Sequence, residues 1–311
     1  MNGVEMQKTF SIVLLLSLLF INGNCSFADE QHIQSQEAQT QNSEGAHVYF
    51  QSGIAKGRIN DYIGAIADFS KAISVDENLA QAYWARGLAR AKVNDFKGAV
   101  EDFSQTIQTN PKIKSAYYMR GLSRKEMKDF EGAIEDLTKE LSINPKNLNA
   151  YINRGLCHKE MENFLAAIED FNRVLSFDNK NPEAYYYKAG CEWKMDDYNS
   201  AIKDYTNVIS INPEYANAYF NRASIRWNLN DYSGAVADYS QAIALNSKDS
   251  DAYFLRGISY MFIKDYDKAA SDFEYAKNLS LTKEDYDKYE GIMELIKLVQ
   301  KDTTTLSNNN Q

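Results

Sequence analysis

Three histidines and three cysteines are the groups that could make this chain a nucleophilic or metal-dependent enzyme, and their placement argues against both. His32 lies in a Gln/Ser-rich stretch, His47 opens an apolar-periodic run, and His158 directly follows Cys157. None of them sits at the spacing of a zinc site, a nucleophile elbow or a phosphate loop. No catalytic residue, metal ligand or cofactor is therefore assigned, and the chain reads as a binding protein and not an enzyme. A formal charge of −9 gives it no attraction for phosphate backbones, so nucleic acid is excluded as a partner.

The elements that must position any binding residues declare themselves by repetition. Tyr49, Tyr83, Tyr117, Tyr151, Tyr185, Tyr219 and Tyr253 recur every 34 residues without an insertion. Two further series keep the same register: Ala65, Ala99, Ala133, Ala167, Ala201, Ala235 and Ala269, and Asp68, Asp102, Asp136, Asp170, Asp204, Asp238 and Asp272. Within residues 80–113, small or apolar residues recur at helical spacing in Ala82, Tyr83, Gly87 and Leu88. They do so again in Phe96, Ala99, Val100, Phe103 and Ile107. Asn94-Asp95 separates the two runs, and Asn110-Pro111 ends the second, because the residue before Pro avoids the helix. Each unit is thus expected to be a hairpin of two antiparallel helices. Such a hairpin cannot bury its own apolar face and must stack on its neighbours.

The pattern of a Tyr, a small residue four places on (Gly53, Gly87, Gly121, Gly155, Ala189, Ala223, Gly257), then Ala, Phe or Tyr, and Pro resembles the tetratricopeptide repeat (TPR). The turn aromatics Tyr62, Phe96, Phe130, Phe164, Tyr198, Tyr232 and Tyr266 would fill the mouth of each hairpin. Pro111, Pro145 and Pro213 stand at the family position. Pro182 comes late, and the remaining units lack Pro, so some inter-repeat turns are expected to be looser. The resemblance implies an all-α fold, a right-handed α-solenoid of seven hairpins. The units are 46–79, 80–113, 114–147, 148–181, 182–215, 216–249 and 250–283, together spanning 46–283.

Outside the repeats, Lys8 and the apolar run from Phe10 to Ile21 form a short export signal over 1–28. That run is below the roughly 18 residues that span a bilayer. Ser26-Phe27-Ala28 fits cleavage after Ala28, which leaves no transmembrane span in the mature chain. A lipid anchor at Cys25 and an uncleaved anchor are the alternatives. All three readings place the repeats outside the cytoplasm, periplasmic or secreted. Residues 29–45 offer little to bury and read as a disordered tether, and 302–311 as a disordered tail. Residues 284–301, opened by Thr282-Lys283-Glu284-Asp285, read as an amphipathic capping helix with Tyr286, Tyr289, Met293 and Ile296 on one stripe.

Where family members commonly carry Leu before the small residue, this chain has Arg86, Arg120, Arg154, Lys188, Arg222 and Arg256, with Ser52 in the first unit. A half-buried cation needs a partner. The missing first cation suggests pairing with the preceding repeat: Asp68–Arg86, Asp102–Arg120, Asp136–Arg154, Asp170–Lys188, Asp204–Arg222 and Asp238–Arg256.

The resemblance also implies a ligand groove on the concave face, lined by the first helices. Its aromatic row is Phe50, Trp84, Tyr118, Ile152, Tyr186, Phe220 and Phe254, continued by Trp193, Trp227, Met261 and Phe262. Part of that row packs between helices in the family, so the Trp positions are the firmer anchors. Groove charges nearly cancel: Arg58, Lys92, Lys125, Lys159 and Lys194 against Glu126, Glu160, Glu183 and Asp251. The family's clamp for acidic chaperone tails is absent from the first three units, which carry Phe50, Ile54, Ala85, Ser115 and Met119 instead. Cys157 and Cys191, equivalent in adjacent repeats, are expected as buried thiols too far apart to bridge. The expected function is an exported scaffold holding an extended peptide or helix of another protein. Cell-wall glycan on the same groove, or a role as accessory subunit of an envelope enzyme complex, are the alternatives.

Overall fold

A computed structural model describes residues 44–113 and 115–279, together with positions 291, 294 and 297. The export signal, most of the tether, the capping-helix stripe and the tail lie outside the described residues. The chain is all-α among those residues and forms a solenoid of helical hairpins. Its helices are α1 (44–58), α2 (Tyr62–Val75), α3 (Ala80–Lys92), α4 (Phe96–Thr109), α5 (Ala116–Glu126), α6 (Phe130–Ile143) and α7 (Leu148–Glu160). They continue with α8 (Phe164–Phe177), α9 (Pro182–Lys194), α10 (Tyr198–Ile211), α11 (Ala216–Asn228), α12 (Tyr232–Leu245), α13 (Ser250–Phe262) and α14 (Tyr266–Leu279). Two compact units divide at Met127/Lys128, α1–α5 in the first and α6–α14 in the second. The first helix begins by Glu44, so the tether ends slightly earlier than expected.

In both units the packing has the same logic. The first helices α3, α7, α9, α11 and α13 each contact their own second helix and the second helix of the repeat before, and α3·α5, α7·α9 and α11·α13 also touch as neighbouring first helices. The seam is filled by the fully buried alanines Ala65, Ala99, Ala133, Ala167, Ala201, Ala235 and Ala269 and by one large residue per second helix, such as Phe103, Phe171 or Tyr205. A small residue in the first helix is required there: a Cβ on Gly87 would stand 2.8 Å from the Phe103 ring. Where the repeats carry Ala189 and Ala223 in place of that Gly, Tyr205 and Tyr239 replace the Phe.

Caps explain the hairpin boundaries. Asp61, Asp95, Asp129, Asp197 and Asp231 each cap a second helix, accepting from Gly64, Gly98, Gly132, Ser200 and Gly234 N–H. At the far end, the missing prolines do not loosen the turns. Asp76, Asp178 and Asn246, which no Pro follows, leave the helix in the same extended conformation as Asn110, Asn144 and Asn212, which one does. An Asx turn does the work: the carboxylate or carboxamide of Asp76, Asn110, Asp178, Asn212 and Asn246 accepts from the N–H two residues on. The late Pro182 stands at the start of α9, behind the N-cap Asn181.

Within each hairpin, one turn residue is left-handed: Asn60, Asn94, Lys128, Glu162, Asp196, Asn230 and Lys264 all have φ between 58° and 66°. Asn and Asp tolerate that region, whereas longer side chains are strained in it by about 1–2 kcal/mol. Glu162→Gly should therefore stabilise the protein by roughly 1 kcal/mol and Asn230→Gly by much less. Urea denaturation midpoints of the two variants check the difference, and equal shifts would show that the turn is unstrained at Glu162.

Candidate functional site

The conserved geometry of the repeat centres on the first-helix cation. Arg222 donates through Nε and Nη2 to Asp238 of its own repeat, at 2.8 and 2.7 Å, with side chains 11% and 5% exposed. Its Nη1 donates to Thr206 Oγ1 of the preceding repeat at 2.8 Å. Arg86 does the same with Asp102 and Ser70, Arg154 with Asp170 and Thr138, and Arg256 with Asp272 and Ser240. Arg120 reaches back to Ser104 likewise. Each guanidinium also lies over the ring of the Tyr three residues earlier, at 5.5–5.8 Å for Tyr83, Tyr117, Tyr151, Tyr219 and Tyr253. That contact accounts for five of the seven periodic tyrosines, and Tyr49 instead lies under Lys71 of its own second helix.

This overturns the expected inter-repeat pairing. Asp102, Asp170, Asp204, Asp238 and Asp272 hold the cation of their own repeat, so Asp68–Arg86, Asp136–Arg154 and the equivalent pairs do not form. The reason is helical geometry. Asp68 and Ser70 are two residues apart and face nearly opposite ways, so Asp turns to its own first helix and Ser to the next repeat. Nor is Asp68 left alone without an Arg in its repeat. Ser52 donates to it at 2.6 Å and Lys56, one turn further along, reaches it at 2.7 Å, which holds its carboxyl below the usual range.

The same second position carries Arg90 and Arg226, each a further cation on the shared Asp at 3.0 and 2.9 Å. Arg86 and Arg90 border an open cleft of about 660 Å³ with Asp102 and Glu101, but Asp102 already engages both guanidinium groups. In the fifth repeat the pattern inverts. Glu192 replaces the second cation, Lys188 replaces Arg, and Asn172 stands where the Ser or Thr would be. Lys188 contacts both Glu192, at 3.0 Å, and Asp204. One ammonium between two carboxylates leaves Glu192 in surplus. Burial raises its pKa above the usual 4.5, and its Oε2 has no partner among the described residues.

The aromatic row proves to be mainly packing. Phe50, Trp84, Tyr186, Phe220 and Phe254 are half-buried against Phe69, Phe103, Tyr205, Tyr239 and Phe273 of their own second helices, with centroids 5.3–5.8 Å apart. Tyr118 is half-buried too, and Ile152, 5% exposed, leaves the surface altogether. Trp193 and Trp227 are half-buried, while Phe262 is 54% exposed at a position where the other repeats carry Arg, Lys, Glu or Asn. Phe262 stacks on Tyr232 at 4.4 Å and meets Trp227 edge-on at 5.9 Å. The Trp227 indole N–H is buried with no partner among the described residues. Lys125 pairs with Glu126 and Lys159 with Glu160, which supports a near-neutral face. Cys157 and Cys191 are both buried and not joined by a disulfide, and burial pushes the Cys191 thiol up to about 11. Sequence reasoning named Tyr186 but missed Glu192 and the Tyr205, Tyr215 and Asn221 that gather around Tyr186. Their signal was departure from the repeat, not agreement with it.

Stacked two-helix hairpins repeating every 34 residues define a helical-repeat scaffold. Sequence profiles of that class match directly: a profile described as "Tetratricopeptide repeat" covers residues 115–147, 148–181 and 182–215, and one described as "TPR repeat" covers 228–261. The chain is a tetratricopeptide-repeat protein, of the kind that scaffolds protein–protein contacts. No curated protein matches its sequence. Among solved structures it is similar to the C-terminal part of a TPR repeat-containing protein from Cytophaga hutchinsonii, at 19% identity and TM-score 0.67, covering 76% of this chain and 98% of that one. A tetratricopeptide repeat protein from Parabacteroides merdae matches at 19% identity and TM-score 0.60, covering 81% and 99%. A third, YrrB, is described as a TPR protein with an unusual peptide-binding site, at 21% identity and TM-score 0.53, covering 59% and 94%. No helix of the described residues is long and apolar enough to cross a membrane.

Two outcomes follow from these ion pairs. A double-mutant cycle on Arg222 and Asp238 should give a coupling of about 1–3 kcal/mol, and one on Arg222 and Asp204 less than about 0.5 kcal/mol. Equal couplings would restore the inter-repeat scheme. For Glu192, a raised folded pKa means that protonation stabilises the fold fully below pH 4.5 and that this contribution is lost as pH rises through the folded value. Glu192→Gln should therefore gain stability relative to the native chain as pH rises from 4 to 7. Urea titrations at both ends of that range read it, and a pH-independent difference would place Glu192 in a balanced pair.

Proposed function

We propose that this protein is an exported scaffold that holds a segment of another protein against the first helices of its later repeats. The observation that carries the reading is the group of Trp193, Trp227 and Phe262, aromatic surface beyond what the hairpin seams consume. Phe262 keeps half its surface in water, which is unfavourable for a ring of its size unless a partner covers it. Partly exposed Trp and Phe make good anchors because they bury much area with few torsions to freeze. On the repeats before this group the charges cancel in the pairs Lys125–Glu126 and Lys159–Glu160, and Lys194 stands against Glu183 and Asp251 in the later ones. The face therefore suits an uncharged or mixed segment and not an acidic tail. The similar structure described as having a peptide-binding site supports the same use of the fold. Export rests on the apolar run Phe10 to Ile21 and the small residues to Ala28, with lipid attachment at Cys25 as the alternative mode of retention.

Cross-linked capture from the native envelope fraction tests it, run with the parent chain and with a Trp193→Ala, Trp227→Ala variant of unchanged helicity. One protein should be captured by the parent and lost with the variant, and the recovered chain should begin at Asp29. Capture that survives both substitutions would move binding off this face. Quenching of the Trp pair by cell-wall sugar fragments, without protein capture, would replace a protein partner with glycan.

A further inference from the structure

The first helix of each later repeat turns one stripe toward the second helix before it, and α1 has no such helix before it among the described residues. Two positions record the difference. Ala82, Ala116, Ala150, Ala184, Ala218 and Ala252 are 0–2% exposed, whereas Val48 in the same register is 67% exposed. Ala89, Ser123, Cys157, Cys191, Ile225 and Ser259 are buried, whereas Ala55 is exposed. With Ser52 and the exposed Ile59 they form a row at i, i+4, i+7 and i+11, which falls in a strip about 60° wide along one side of α1. Glu44, Gln51 and Arg58 border that strip, and all three are exposed.

The open end of a helical-repeat array is polar when nothing covers it. This end is apolar and small instead, and it is not shaped for one more repeat of the same kind. The six later seams hold only Ala at the position of Val48, because the helices approach closely there. A β-branched Val needs a wider separation. Arg86, Arg120, Arg154, Arg222 and Arg256 each reach back to a Ser or Thr of the second helix before them. Ser52 has no such reach, and its hydroxyl donates to Asp68 of its own repeat. Nor does α14 offer the matching acceptor for a head-to-tail contact. Glu274 stands where the other second helices carry Ser, Thr or Asn, and Lys277 holds it at 3.1 Å.

Charge and symmetry identify what does fit. Lys56 and Lys71 are spent on Asp68, at 2.7 and 3.8 Å, which leaves Glu44 and Arg58 as the charges at the two ends of the strip. They stand about 21 Å apart along the helix. Val48 and Ala55 lie equally far on either side of Gln51 and Ser52, and Glu44 and Arg58 nearly so. A second α1 laid antiparallel would set Val48 against Ala55 and Glu44 against Arg58 at both ends. A parallel pair would set like charges together. An Arg in place of Ser52 would bring two guanidinium groups face to face at the centre. We propose that two copies of this chain associate through this strip of α1, the helices antiparallel about a two-fold axis near Gln51 and Ser52. Such a contact is self-complementary and closes at two copies. It uses none of Trp193, Trp227 and Phe262, so it stands or falls apart from the scaffold reading.

Sedimentation of the chain without its export signal, over a range of concentrations, tests the proposal, and a monomer–dimer equilibrium is expected. Val48→Glu, at a position open to water, should weaken the dimer by about 10-fold or more with unchanged helicity. Ser52→Arg installs the residue of the other repeats, which pairs with its own Asp as Arg86 does, and should keep the fold while separating the copies. Glu44→Lys and Arg58→Glu should each weaken the dimer by about 3-fold or more, and the double variant should restore it. A dimer that the double variant leaves weakened would overturn the antiparallel arrangement. A chain that stays monomeric, or a dimer indifferent to Val48→Glu and Ser52→Arg, would overturn the contact itself. Open-ended assemblies would replace the two-fold with head-to-tail stacking. A monomer that dimerises only when residues 29–43 are removed would make the tether the occupant of the strip.

Discussion

A guanidinium group placed at a helix seam must have its donors met, and in this protein three different elements meet them. Its own second helix supplies an Asp, the preceding repeat supplies a Ser or Thr, and the Tyr one turn earlier covers the plane. Because Arg presents a rigid fork, satisfying it fixes the angle of the hairpin and its register on the repeat before it at once. The 34-residue period is the spacing at which that arrangement recurs. Apolar burial in the Ala and Phe seam supplies most of the stability, but it is non-directional, and the ion pair tells each hairpin where to sit.

The arrangement bends where its parts change. In the first repeat the cation moves one turn along to Lys56, and Ser52 fills the vacated place. In the fifth repeat the change goes further. Lys188 has no fork, Asn172 replaces the hydroxyl, and a second carboxylate enters at Glu192. A lysine cannot hold two partners in fixed directions as Arg does. This same repeat carries Gly190 in place of an aliphatic residue and Tyr205 in place of a Phe. The departures from the repeat pattern therefore gather in one repeat, as expected where function and local consistency compete.

Much of the fold was legible because it depends on local rules. Asp at the hairpin turn caps a helix by its own side chain, and the Ala and Asp series report burial directly through their spacing. The partner of each cation was not legible. Sequence spacing allowed either Asp, and the missing first Arg pointed the wrong way because Lys56, four residues on, was able to substitute. The prolines misled similarly. They mark the exit turn, but the preceding Asx residue holds it, as Asp178 shows without a Pro beside it. Of the candidate site, the Trp positions could be read from the repeat register. The hydrogen-bonded cluster of Tyr186, Tyr205 and Asn221 could not, since it depends on residues from α9, α10 and α11 meeting at one place.

That dependence bears on what the face recognises. An aromatic surface alone takes peptide, helix or sugar with little discrimination, because burial of apolar area has no direction. Direction comes from hydrogen bonds whose partners are buried enough to suffer when unmet. Here those groups are hydroxyls and one carboxamide. Lys159 is paired with Glu160, and Glu183 stands near Tyr215 and Tyr187, so the hydrogen-bonding groups are neutral while charge lies beside them. Those polar groups give this corner direction, while its apolar preference rests with Trp193, Trp227 and Phe262.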